Sequence, residues 1–369
     1  MPTNRWLLPW RLISQDRWQL ALLLWLPLLL GLWLWSLFGN GLPRDLPIGV
    51  LDQDGSHLSR RVSQLLDDSA GLQVTRQFSQ WPEAADALRS GRLYGLVILP
   101  YEFEKDVRLG KQPVVEARYN GQLLLVGRLV NGSLQQALGT ANASLAGLTA
   151  LAHGVPSPGA LGQAAPIRVQ ITPLFNLSTN YAQFLLSAIW PAIWQIFCVV
   201  PVIVGLARHG RQMPDGLGRV GLPLLLPYWL IAWGWGALML LAFRLAGWPQ
   251  AGSLAMLLLG QGLMVGASLA LGCLLYLLTR DATRAMSLAA AFTAPSLAFI
   301  GITFPTEQMN GFASVWRSLL PVSHYVDLQV QQGHYAMTGL AAWLPIRNLL
   351  LFCLLWLPVA WLIRRARRG

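Results

Sequence analysis

Residues 18–38 read WQLALLLWLPLLLGLWLWSLF, a run of 21 mostly apolar residues without an acid or a base. As an α-helix the run spans about 30 Å, the thickness of a bilayer's hydrocarbon core. It is longer than the apolar core of a cleaved leader, and no A-x-A-like site follows it, so it reads as an uncleaved first span. Before it, residues 1–17 alternate Arg5, Arg11 and Arg17 with Trp6, Leu7, Trp10, Leu12 and Ile13. That is the pattern of a short amphipathic segment lying at headgroup level, with its arginines holding the N-terminus on the cytoplasmic side.

The composition agrees. The chain has 369 residues, 54% hydrophobic and 12% charged, about half the charge of a soluble domain. The net charge of +11 is carried by many arginines set in short clusters beside apolar runs, which is a topology signal and not a nucleic-acid face. Cys198, Cys273 and Cys353 all lie in apolar segments, so no disulfide framework is expected. The five histidines are scattered and no CxxC or metal-ligand cluster exists.

After the first span comes a polar island, 39–180, that holds most of the acids. It alternates strand-like runs (46–51, 72–78, 93–99, 113–119 and 167–171) with helical ones (57–68, 81–88, 101–109 and 123–151), separated by Gly- and Pro-rich turns. Such alternation predicts an α/β domain, large enough for its own core.

From Tyr181 to Ile363 the sequence is again apolar, with five spans expected at 182–206, 222–243, 252–278, 286–304 and 343–363. Arg208, Arg211 and Arg219 fall in one connector, Arg280 and Arg284 in another, and Arg364, Arg365, Arg367 and Arg368 in the 364–369 tail. All lie on the side of the N-terminus, whereas the opposite connector at 248–251 carries no charge. The expected fold is therefore an α-helical polytopic membrane protein of six transmembrane helices, both termini cytoplasmic. An extracytoplasmic α/β domain is inserted between the first and second spans. The semi-polar connector 305–340 is expected to form short helices at the outer surface.

Four stretches, taken in order, resemble the permease subunits of ABC type-2 transporters that carry a large external domain after the first span. They are IGVLDQDGSHLSRRVSQLL (48–66), ALRSGRLYGLVILPYEFEKDVRLGK (87–111), ITPLFNLSTNYAQFLLSAIWPAI (171–193) and GITFPTEQMNGFASVWRSLLPVSHYVDLQVQQG (301–333). The resemblance covers nearly the whole chain. It implies an exporter subunit in a bacterial inner membrane, working as a dimer with a second copy or a sister permease. It also implies a separate cytoplasmic ABC ATPase that uses the ATP, a periplasmic adaptor protein as a further partner, and an amphiphilic or drug-like substrate. The loop LARHGRQMPDGLGRVG (206–221) departs from the family by lacking its Arg-Glu and Gly-Thr pairs. Either the ATPase contact uses other residues or this copy pairs with a more typical permease.

The residues themselves exclude ATP hydrolysis by this chain. There is no GxxxxGK[ST] loop, and the two lysines, Lys105 and Lys111, lie in the island. No cofactor or metal is expected. For coupling to an ATPase the candidates are Arg208, Arg211, Asp215 and Arg280, with plain topogenic charge as the alternative. For the translocation path, where the resemblance places spans two and five at the interface between permeases, they are Trp190, Trp194, Gln195 and Phe292. Ordinary packing and interhelical hydrogen bonding are the alternative for these, as for Gln261 and Ser268. Asp52, Asp54 and Ser56 read as turn and N-cap chemistry. No span centre carries an ionisable residue, which argues against an ion-coupled carrier. A membrane-anchored receptor or scaffold is the remaining rival.

Overall fold

The computed structural model describes residues 8–38, 44–109, 111–119, 124–152, 180–209, 217–302 and 306–365. The chain forms two compact units, residues 42–172 and the remainder.

In the smaller unit a four-stranded sheet has the order β2-β1-β3-β4, with β1 (Leu46–Asp52), β2 (Leu72–Phe78), β3 (Gly95–Leu99) and β4 (Glu116–Tyr119). β1 lies parallel to β2 and β3, and β4 is antiparallel to β3. Because both faces of β1 are covered, it reads as a continuous apolar run. Ile48 and Val50 meet Val62, Leu66, Val130 and Leu134 on one side. Leu51 meets Ala84, Ala87 and Leu96 on the other. The Asp-x-Asp-x-Ser turn is structural, as its spacing suggested. Asp52 Oδ1 accepts from the Asp54 and Gly55 N–H groups at 3.0 and 2.9 Å, and Ser56 Oγ caps the next helix at Ser59 N. The 123–151 helix is present as Leu124–Ala152. The expected strand at 167–171 lies outside the described residues.

In the larger unit, α1 (Leu8–Gln15) is followed by α2 (Arg17–Phe38), α7 (Tyr181–His209), α8 (Leu217–Leu245), α9 (Leu254–Thr279) and α14 (Leu340–Arg365); α3–α6 are the helices of the sheet unit, at 57–67, 81–89, 103–108 and 124–152. Among the described residues five helices, α2, α7, α8, α9 and α14, are long and apolar enough to cross a membrane. The segment expected to be a sixth continuous span is broken into α10 (Ala282–Thr293) and α11 (Ser296–Phe299). Pro295 supplies no N–H and crowds the preceding turn, so the helix stops after 12 residues, about 18 Å.

The relative directions follow from who touches whom. Trp194 donates to the Ala232 carbonyl, and Tyr228 meets Gly205, so α8 runs antiparallel to α7. Trp229 and Trp233 donate to the Gly262 and Leu258 carbonyls, so α9 runs antiparallel to α8. Gln19 reaches Pro201 while Gly31 faces Trp190, so α2 is antiparallel to α7 as well. α9 therefore runs beside α7 in the same direction, and the two cross at Gly272. A Cβ there would lie 2.9 Å from the Val199 carbonyl oxygen. Ala285 and Ala289 of α10 pack on Val199 and Ile203, and Ile300 to Ile302 line one cavity with Ser187, so the broken segment runs beside α7.

Within the connector 305–340, expected as short helices at the outer surface that dip into the bilayer edge, one helix is exposed and the next is buried in the larger unit. α12 (Gly311–Leu319) runs from Phe299 toward Phe292, touching them through Phe312 and Trp316 at 6.5 and 5.7 Å. α13 (Pro321–Val330) then returns inside the bundle. Val322, Tyr325 and Leu328 are fully covered, and Gln329 reaches the Ser187 carbonyl. The two form a helical hairpin whose turn, at Leu320, is level with Gln195, the midpoint of α7. The sequence looked semi-polar because α13 carries its own hydrogen-bonding groups into the core.

Replacing Gly272 with Val forces α7 and α9 apart and should cost about 1–3 kcal/mol, read as a lowered unfolding temperature in detergent.

Candidate functional site

At one end of the bundle, α1 is latched to the end of α7. Asp16 is the N-cap of α2 and accepts from Trp18 N at 2.9 Å and Gln19 N at 3.3 Å. The same carboxylate receives Arg208 Nη1 on both oxygens, at 2.9 and 3.0 Å, with His209 Nε2 at 3.3 Å. One turn into α2, the fully buried Gln19 donates to the Pro201 carbonyl and accepts from the Tyr228 hydroxyl at 3.2 Å. Gly205 makes room for that hydroxyl, since any side chain there would collide with it. Partial burial pushes the Asp16 carboxyl up, but the hydrogen bonds from Arg208, Gln19 and Trp18 outweigh it and hold it below the usual carboxylate value.

Of the predicted coupling residues, Arg208 sits in this latch. Arg280 is exposed, in the left-handed position that ends α9 at φ 52°. It lies at the same end of the bundle, with no ion pair among the described residues, and the structure does not bring it to Asp16. Arg211 and Asp215 lie outside the described residues. Sequence reasoning missed Asp16, Gln19 and Tyr228. The available signal was that Asp16 is the only acid in the first 44 residues.

The predicted path residues meet near the middle of α7. Gln195 is fully buried, and its Oε1 accepts from Val322 N at 2.9 Å. It thereby answers one of the backbone donors that a helix N-terminus leaves open, and Pro321 before it has none to leave. Trp194 is buried, hydrogen-bonded to Ala232 and edge-on to Tyr325 at 5.7 Å. Tyr325 in turn accepts from Gln261. Gln195, Trp194 and Gln261 thus form one interhelical network around α13, the packing alternative for these residues. Trp190 faces away from it, against Gly31 of α2 and edge-on to Phe243. Phe292 packs on Trp316 on the side of α12. Trp190 and Trp194 share the wall of one cavity beside α2. Among the described residues no group of three His, Cys, Asp or Glu side chains could hold a metal.

The profile of the ABC-2 family transporter proteins matches residues 17–213 and 222–362. The chain belongs to the ABC-2 transporter family. Neither the curated proteins nor the solved structures contain a significant match. An ABC-2 permease is a membrane subunit that generally has no catalysis of its own and normally works with a cytoplasmic ATPase, which uses the ATP. In this ABC-2 protein the latch and the α13 network are joined by a single helix, because Arg208 follows Gln195 on α7 by thirteen residues, about 20 Å.

Two measurements check this geometry. Gln195→Leu strands the buried Val322 N–H and should cost about 1–3 kcal/mol, with faster amide exchange at residues 322–325. Asp16 has a lowered pKa, so its stabilisation is present above the ordinary carboxylate value and is lost as pH falls through the folded-state value. The Tm difference between wild type and Asp16→Asn, present at pH 5, should shrink below about pH 4.

Proposed function

We propose that this ABC-2 protein is the permease subunit of an ATP-driven exporter whose partner ATPase acts on the Asp16–Arg208 latch. The observation that carries the proposal is that latch, which ties the amphipathic α1 to the end of α7 at the most basic end of the bundle. From the helix directions above, Arg17, Arg208, Arg280, Arg284, Arg364 and Arg365 gather at this end, and Arg244, Arg317 and Arg347 lie nearer the other. The positive-inside rule makes the basic end cytoplasmic. Phe38 and Asn180, between which the sheet unit is inserted, belong to the opposite end, which supports an extracytoplasmic place for that unit. The broken α10–α11 segment, running beside α7, supports a count of six crossings in a bacterial inner membrane.

The mechanism follows from α7 as a lever. An ATPase that closes on ATP moves α1 and the segment after α7. Asp16 passes the movement to Arg208, and α7 carries it to Gln195 and the hairpin turn of α12 and α13. Pro191 and Pro201 flank Gln195 and interrupt the helix's own hydrogen bonding, so bending is cheapest there. The differential binding of ATP to the closed state supplies the shift in population. A second copy or sister permease fits the apolar surface formed by Leu288, Leu297, Phe312, Val315 and Leu319, all exposed in the single chain. The sheet unit would meet an adaptor or cap the path.

In a reconstituted complex with its cytoplasmic ATPase, the permease should change the ATPase rate. Arg208→Gln should lower transport about tenfold with the complex intact, and Arg280→Gln should do less. A wild-type permease that neither binds the ATPase nor alters its rate would overturn the proposal.

A further inference from the structure

At the end of the larger unit opposite the latch, a cavity of about 670 Å³ opens between the start of α7, the segment after α11, and α13. The volume is in the range of small-molecule sites. Its walls combine two kinds of surface. Phe184, Ile302, Val326 and Tyr335 are apolar or aromatic, with Phe184 and Tyr335 well exposed. Asp327 brings a carboxylate, and Gln183, Ser187, Thr306 and His334 add further polar groups.

The charge arrangement has a direction. Arg317 of α12 binds Asp327 Oδ1 at 2.5 Å. The arginine side chain is 16% exposed and the carboxylate 35%. Arg317 is not among the residues that line the cavity. It packs against the backbone of Gly301, which has φ +97°. Seen from the cavity the ion pair is a dipole with its negative end forward, and Asp327 Oδ2 has no protein partner among the described residues. A forward carboxylate and two aromatic side chains in a wall that is part polar and part apolar suit a positive charge on an apolar body. An anion of the same shape would meet the carboxylate first.

We propose that this cavity binds amphiphilic organic cations, with Asp327 as the anchor and Phe184 and Tyr335 as the walls that hold the apolar part. The proposal rests on the exporter reading for the cation's route through the protein, and on the cavity alone for its binding.

The test uses two ions of nearly the same shape and opposite charge, tetraphenylphosphonium and tetraphenylborate, in equilibrium dialysis of the purified full chain in detergent, with empty micelles as background. Wild type should bind the phosphonium at least about tenfold more tightly than the borate. Asp327→Asn leaves Arg317 buried and unpaired, so folding is checked by gel filtration. The double variant Arg317→Gln with Asp327→Asn removes both charges together and should lose the preference for the cation. Equal binding of the two ions by wild type, or a preference for the cation that survives in the double variant, overturns the proposal. A permease that stimulates its ATPase yet shows no charge preference sinks this inference alone. One that prefers the cation but never engages an ATPase sinks the exporter reading alone.

Discussion

A buried N–H or carbonyl in an apolar bundle must find a partner, and α13 makes that requirement the organising constraint of the larger unit. The helix begins at half-depth, where water cannot answer its first backbone donors. Gln195 answers Val322 N, Gln261 donates to the Tyr325 hydroxyl, and Gln329 donates to the Ser187 carbonyl. At the far end Gln332 accepts from Ser253 N and donates to the Met337 carbonyl. Each glutamine joins two elements, so moving one helix disturbs several hydrogen bonds at once. This is how an apolar bundle, whose helices otherwise prefer one another little more than they prefer lipid, comes to have a specific arrangement.

The same constraint makes α7 the axis of the molecule. It carries Ser187 and Gln195 for the hairpin, Trp194 for α8, Val199 for the close crossing with α9, and Arg208 for the latch with Asp16. A displacement at either end reaches the others through one backbone. Tryptophans on α8 do complementary work. Trp229, Trp233 and Trp235 each donate to a carbonyl of a neighbouring helix, which sets the rotation of α8 between α2 and α9. Their apolar rings could have packed in many ways, and the single N–H on each selects one.

Much of this was legible in the sequence. The five continuous helices follow from runs of apolar residues long enough to cross a bilayer. The sheet strands follow from short apolar runs between turn residues, and Ser56 announces its helix by capping it. Pro295 marks where legibility fails. Pro191 and Pro201 sit in a similar apolar context and the helix continues through both, whereas at Pro295 it breaks. Local sequence does not say which proline will find its lost hydrogen bond compensated. α13 failed for a related reason. PVSHYVDLQVQQG looks like a surface segment until Gln195 and Gln261, far away in the chain, are seen to match its polar groups. Among the site residues, Arg208 was found by its place in a basic connector. Asp16 was missed because its N-cap role accounts for it locally and its second partner is 192 residues away.

The sequence alone therefore determined the class of molecule. Apolar length makes membrane spans, arginine placement orders their ends, and the alternating pattern of the island makes an α/β unit, because each of these depends on residues close together in the chain. Only the tertiary structure decided that α13 enters the bundle, that Gln195 answers its first backbone donor, and that Asp327 lies on a cavity wall. The contacts that hold α13 there join polar groups far apart in sequence. In an apolar interior, which pairs form is settled by how the helices pack.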